Sequence, residues 1–153
     1  MVKGKAMFSA GIIAAAAMSA ASADSPGRHP GYLHALSDLR AARWFLTHQP
    51  GDARVNENEK KALGEVDLAI GEINKASIDD GKPLSDHPNV DVSEEGSRLL
   101  RALETLHKAQ DDIRGEEESP EVKGLRARAN HHIDLAIQFA NGAHDDWVRD
   151  KKK

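Results

Sequence analysis

The chain has 153 residues, of which 39% are hydrophobic and 4% aromatic, and its 25 acidic side chains outnumber the 21 basic ones. A negatively charged surface repels phosphate backbones, which argues against nucleic acid as a partner. The chain has no cysteine, which excludes disulfides, thiol catalysis, iron–sulfur clusters and c-type haem.

The N-terminus has the pattern of a secretory signal peptide over residues 1–23. Lys3 and Lys5 give it a positive start, and apolar or small residues then lead to an A-x-A cleavage site at 21–23. The apolar stretch is short and rich in alanine, so cleavage is favoured over a retained membrane anchor. We therefore expect a bacterial periplasmic or secreted protein of residues 24–153, with no stable insertion into a membrane.

The first half of the mature chain predicts a helical hairpin over residues 30–78. Its first helix runs from about Pro30 to Thr47, and its second runs from about Arg54 to Ser77, after a turn containing proline and glycine. Each helix carries an apolar stripe at helical spacing. The stripes are Tyr32, Leu36, Leu39 and Leu46 in the first helix, and Val55, Ala62, Val66, Ala69, Ile73 and Ala76 in the second.

A linker over residues 79–92 leads to a second predicted hairpin, over residues 93–150. Ser93 is the predicted N-cap of the third helix, and Ser119 is that of the fourth, with Pro120 at its first position. The apolar stripes are Leu99, Leu103, Leu106 and Ile113 in the third helix, and Val122, Ala129, Ile133, Ala136, Ala140 and Trp147 in the fourth.

The two hairpins repeat one another. Residues 33–79 align with residues 100–146 without a gap, at an offset of 67. The matches include two polar pairs that an apolar stripe does not require, Asp67/Asp134 and Asn74/Asn141. These pairs favour a true duplication over a chance agreement of helical patterns. The sequence therefore predicts an all-α antiparallel four-helix bundle built from two repeated helical hairpins.

Three segments carry a resemblance to a group of proteins. The run from His29 to Arg43, the segment from Glu72 to Lys82 and the tripeptide at 132–134 resemble small exported bacterial helical proteins that contain HPxYLxALSDLRxAR and ASIDDGK segments. The resemblance implies a bacterial exported helical protein. No established activity accompanies it, so no site residues are carried over.

Eight histidines in the mature chain raise the possibility of a metal site for Cu²⁺, Zn²⁺ or Ni²⁺. His107 and His132 flank the predicted core of the second hairpin and are the best-placed pair. Their repeat equivalents are Arg40 and Glu65, so the duplication does not generate a symmetric four-ligand site. Scattered surface histidines are the favoured interpretation.

Other chemical motifs are incomplete. Glu104 and His107 have the Glu-x-x-His spacing of di-iron bundles, but the equivalent positions hold Ser37 and Arg40. The acidic linker lacks the spacing of an EF-hand loop. The sequence thus predicts an exported non-enzymatic protein, without a cofactor, that acts by binding a protein or a small ligand. A periplasmic metal-binding protein is the alternative.

Overall fold

A computed structural model describes residues 29–48, 56–75, 81–86, 95–116 and 123–153. These residues form four helices and no strand: α1 (Pro30–Thr47), α2 (Glu57–Lys75), α3 (Glu95–Arg114) and α4 (Leu125–Asp150). The predicted all-α class is therefore confirmed. No helix in the described part of the chain is long and apolar enough to cross a membrane. The predicted signal peptide and most of the predicted linker lie outside the described residues.

The helix starts show where local sequence signals were misleading. Helix α1 has the predicted bounds, but α2 begins at Glu57, later than predicted, because Asn56 caps it. The Asn56 side-chain oxygen accepts a hydrogen bond of 2.8 Å from the Asn58 N–H. Helix α4 begins at Leu125 in the described part of the chain, and the predicted start at Ser119 and Pro120 lies outside the described residues. Gly124 precedes α4 with φ +77°, a conformation that glycine adopts without strain.

Each helix packs chiefly on its repeat equivalent. Contacts between α1 and α3 and between α2 and α4 are the most extensive, and those within the pairs α1–α2 and α3–α4 are smaller. Along α2 and α4, polar contacts join Asn58 with Asp146, Glu65 with His132, and Glu72 with Arg128. In these contacts, the residue numbers on α4 fall as those on α2 rise. The same holds for α1 and α3, where Gly31 contacts Glu116 and Phe45 contacts Arg98.

The buried apolar side chains follow the predicted stripes. Leu36, Leu103, Val66 and Ile133 are all buried, as predicted. Ten pairs of positions that differ by 67 are buried on both sides: Tyr32/Leu99, Ala35/Ala102, Leu36/Leu103, Leu39/Leu106, Ala42/Ala109, Leu46/Ile113, Ala62/Ala129, Val66/Ile133, Ala69/Ala136 and Ile73/Ala140. Because many of these residues are alanine, the helix backbones can approach closely.

The repeated aspartates have a shared structural role. Arg43 Nε donates a hydrogen bond of 2.8 Å to Asp67 Oδ1, which joins α1 to α2. Gln110 Nε2 donates to Asp134 Oδ1 and joins α3 to α4 in the same way. Positions 43 and 110 are repeat equivalents, as are 67 and 134, so one contact recurs in both hairpins. Asn74 and Asn141 are both exposed, and nothing in the structure explains why they recur.

A buried ion pair connects three helices at one end of the molecule. Arg98 Nη2 lies 3.1 Å from Glu59 Oε1, and both side chains are fully buried. The same guanidinium donates to the Phe45 carbonyl oxygen in the last turn of α1. The pair has no counterpart in the repeat, because Gly31 and Arg126 occupy the equivalent positions. It therefore marks a place where the two halves of the sequence do not match.

Glu72 carries a prediction for the pH dependence of stability. Lys75 Nζ donates to it at 2.8 Å and Arg128 Nε at 2.7 Å, and these hydrogen bonds lower the pKa of Glu72 from 4.5 to about 2. The pKa is lower in the folded chain, so Glu72 contributes stability above pH 4.5 that is lost as the pH falls towards 2. An NMR titration should find its carboxyl still ionised at about pH 3.

Glu72→Gln should accordingly flatten the decline in the free energy of unfolding over that pH range. Glu57→Gln is the control, because the lysine that lowers the Glu57 pKa lies on the same helix and both side chains are well exposed. A Glu72 carboxyl that titrates near 4.5 in the folded protein would contradict the assignment.

Candidate functional site

A cleft of about 490 Å³ lies between α1 and α3, beside the segment 81–86. We call it the α1–α3 cleft. Its lining consists of Ser37, Asp38 and Ala41 from α1, Thr105 and Lys108 from α3, and Lys82 and Asp86 from the segment. No aromatic side chain belongs to this lining, and six of its seven residues carry a charge or a hydroxyl group. The cleft therefore suits a polar molecule rather than an apolar one.

Asp38 is the partly buried charged group of the cleft. Burial is the main factor that raises its pKa, and the neighbouring Asp112 carboxyl raises it further, both by its charge and through a hydrogen bond between the two groups. Lys108 and His34 act in the opposite direction without cancelling the shift. Burial removes part of the hydration of the Asp38 carboxylate. A further positive charge placed beside it, such as that of a ligand, would therefore stabilise its ionised form.

The two lysines of the cleft each take part in an exposed ion pair. Lys82 Nζ lies 3.6 Å from Asp86 Oδ2, and Lys108 Nζ lies 3.3 Å from Glu104 Oε1. All four side chains are at least 44% exposed. Exposed pairs of this kind contribute about 0–1 kcal/mol, so an anionic group of a ligand can replace either carboxylate at little cost. The cleft thus presents one partly buried acid and two accessible ammonium groups.

The predicted metal residues occupy different surroundings. His107 is exposed, whereas His132 is partly buried and its Nδ1 lies 2.7 Å from Glu65 Oε2 on α2. The described residues contain no group of three or more histidine, cysteine or carboxylate side chains that could hold a metal ion. No contact places His107 and His132 together, so their role as a ligand pair stays a prediction.

Two further histidines and Glu104 lie on the surface of the described part of the chain. His34 and His131 are exposed, and Glu104 also faces water, where it pairs with Arg101 and Lys108. Two sets of residues were not predicted as sites: the buried pair Glu59 and Arg98, and the lining of the α1–α3 cleft. The only sequence signal for Asp38 was its position between two core leucines of α1.

Comparisons with protein-family models, with curated proteins and with solved structures gave no match to this chain. The candidate site therefore rests on the geometry and charges of the cleft itself.

Proposed function

We propose that the mature chain is an exported antiparallel four-helix bundle, built from a duplicated hairpin, that binds a small polar ligand in the α1–α3 cleft. The binding role is carried by one observation: a cleft of about 490 Å³ is lined by side chains of both charges. These groups are suited to neutralising the charges of a ligand. The protein acts by binding rather than by catalysis.

The duplication is supported by the contact between Glu65 and His132. These two residues are repeat equivalents, and they lie 2.7 Å apart. In an arrangement with two-fold symmetry, a residue meets its own equivalent only at the symmetry axis. The contact therefore supports a pseudo-two-fold axis that passes between α2 and α4 at this level, perpendicular to two helices of opposite direction.

A bundle arrangement is supported by the order of the contacts. Helix α1 contacts α3, α3 contacts α4, α4 contacts α2, and α2 contacts α1, which closes a ring of four helices around one core. In the pairs α1–α3 and α2–α4, the residue numbers on one helix fall as those on the other rise. Antiparallel neighbours around an alanine-rich core are typical of small four-helix bundles.

Equilibrium dialysis tests the binding function. The mature protein is dialysed against a small-molecule extract of the bacterial periplasm, and retained compounds are identified by mass spectrometry. The wild type should retain a compound that the variant Asp38→Asn/Lys108→Ala does not. The control Asp111→Asn/Lys60→Ala makes the same charge changes at exposed sites outside the cleft. Equal retention by all three proteins, or none by the wild type, would contradict the proposal.

Export is tested separately by intact-mass analysis. The A-x-A site at 21–23 implies that the periplasmic form begins at Asp24. A periplasmic product that keeps Met1 would contradict the proposed cleavage.

Metal binding is the second candidate function, and the pair Glu65–His132 favours it. A carboxylate that holds one imidazole nitrogen orients the ring and leaves the other nitrogen for a metal, an arrangement common in metal sites. On this candidate, His132 is one ligand and His107 is the predicted second. Divalent copper, zinc or nickel is the chemical class that such ligands bind.

Titration with Cu²⁺ tests the metal function. Stoichiometric binding should be lost in His107→Ala/His132→Ala and kept in the control His34→Ala/His131→Ala, whose histidines are exposed. Binding should also weaken on acidification, because imidazole binds metals in its neutral form. Weak binding of several ions, equal in both variants, would indicate scattered surface histidines instead.

A further inference from the structure

The α1–α3 cleft is lined by two pairs of repeat equivalents, with one member of each pair on α1 and the other on α3. The repeat equivalent of Asp38 is Thr105, and that of Ala41 is Lys108. All four residues line the same cleft. Because equivalent positions face one another across it, a strictly repeated sequence would give the two walls the same chemistry.

The sequence has instead made the two walls different. The α1 wall carries the acid Asp38 where the α3 wall has a neutral threonine, and the α3 wall carries the ammonium group of Lys108 where the α1 wall has an alanine. At these two positions, the cleft therefore carries opposite charges on its two walls. Its opposite charges cannot both be matched by a ligand of a single charge.

Other charged groups lie beside Asp38 and Lys108 in or near the cleft. Asp112 lies beside Asp38 and adds a second carboxyl near that end of the cleft. On the segment 81–86, Lys82 adds a second ammonium group, and its pairing with Asp86 at 3.6 Å is exposed and weak. A positive ligand group gains most beside Asp38, where hydration is reduced, and a negative group gains most between the two lysines.

We infer that the ligand of the α1–α3 cleft is a small zwitterion, with an ammonium group bound by Asp38 and an anionic group bound by Lys108 and Lys82. This inference rests on the proposed binding function and specifies its ligand class. Ser37 and Thr105 also line the cleft and carry hydroxyl groups. A purely cationic or purely anionic compound of the same size is attracted by the charge on only one wall. The charge on the other wall repels it.

Three four-carbon probes separate these classes: 4-aminobutanoate, butylammonium and butanoate. Each is titrated into ¹⁵N-labelled mature protein while the amide resonances of α1 and α3 are followed. We expect 4-aminobutanoate to shift the resonances around Asp38 and Thr105 saturably, with an affinity about five- to tenfold higher than that of either single-charge probe. Equal or tighter binding of butylammonium or butanoate, or no shift of these resonances by 4-aminobutanoate, would overturn the inference.

Two variants test whether the ammonium end of the ligand binds Asp38 and the anionic end binds Lys108. Asp38→Asn should lower the affinity for 4-aminobutanoate to about that for butanoate, and Lys108→Ala should lower it to about that for butylammonium. Asp111 is an exposed acid on α3 outside the lining, so Asp111→Asn is the control and should leave the affinity for 4-aminobutanoate unchanged. Preserved amide spectra show that each variant is folded. If Asp38→Asn and Lys108→Ala bind the zwitterion as the wild type does, the assigned ends are wrong.

The dialysis experiment distinguishes a failure of this inference from a failure of the proposed function. A retained compound that carries a single charge, or none, would overturn the zwitterion and leave the binding function standing. If the wild type retains no compound, the binding function itself fails.

Discussion

Replacing Arg98 with alanine is expected to lower the free energy of unfolding by about 3–5 kcal/mol. The change leaves the Glu59 carboxylate fully buried without its ionic partner and removes the donor to the Phe45 carbonyl oxygen. An uncompensated buried charge is among the most costly defects a single substitution can create. Chemical denaturation of the mature protein measures the loss. Arg43→Ala is the matched control, because its ion pair with Asp67 is partly exposed and should contribute no more than about 1 kcal/mol.

A double variant distinguishes the charge from the packing of the side chain. Arg98→Met/Glu59→Leu removes both charges and keeps most of the volume, so it should recover much of the stability that Arg98→Ala loses. If the double variant is as unstable as Arg98→Ala, the cost arises from the shape of the buried site or from the lost contact with α1. The explanation by an unpaired charge would then be wrong.

Helix positions and the core could be predicted because they depend on local spacing. Apolar residues three and four apart define one face of a helix wherever the chain goes next, and Leu36 and Ile133 are buried for this reason. The start of α4 could not be predicted in the same way. Ser119 and Pro120 carry a familiar start signal, but Gly124 takes a left-handed conformation and α4 begins only after it.

The buried ion pair and the cleft depend on contacts between residues far apart in sequence. Glu59 lies in a strongly polar stretch, where a charged residue is normally exposed. Its buried partner, Arg98, lies on α3 and reaches it only in the folded protein. The cleft combines α1, α3 and the segment 81–86, and no spacing rule connects Asp38 with Lys82. Such sites exist only after the helices have packed.

Both features lie at positions where the two halves differ. Arg98 corresponds to Gly31, and Asp38 corresponds to Thr105, whereas the buried apolar positions correspond closely. The matching apolar positions are buried, so changes there cost stability. Polar positions beside the core are freer to diverge. The candidate function therefore resides in the residues that the repeat does not share.

Truncating equivalent core leucines should be costly in both halves. Leu36→Ala and Leu103→Ala should each lower the free energy of unfolding by about 2–5 kcal/mol, because each removes a buried side chain and leaves a cavity. The loss should be larger for Leu36, which is fully buried, than for Leu103, which is 8% exposed.

The controls for this prediction are His34→Ala and His131→Ala, which lie two residues before the core positions Leu36 and Ile133 and are exposed. Each should change stability by no more than about 0.5 kcal/mol, as exposed substitutions usually do. Denaturant unfolding at equilibrium measures all four variants, and the slope of the transition checks that each unfolds as one unit. A costly leucine change in one half and a neutral one in the other would show that the two hairpins do not share one core, and would remove the basis for the duplicated bundle.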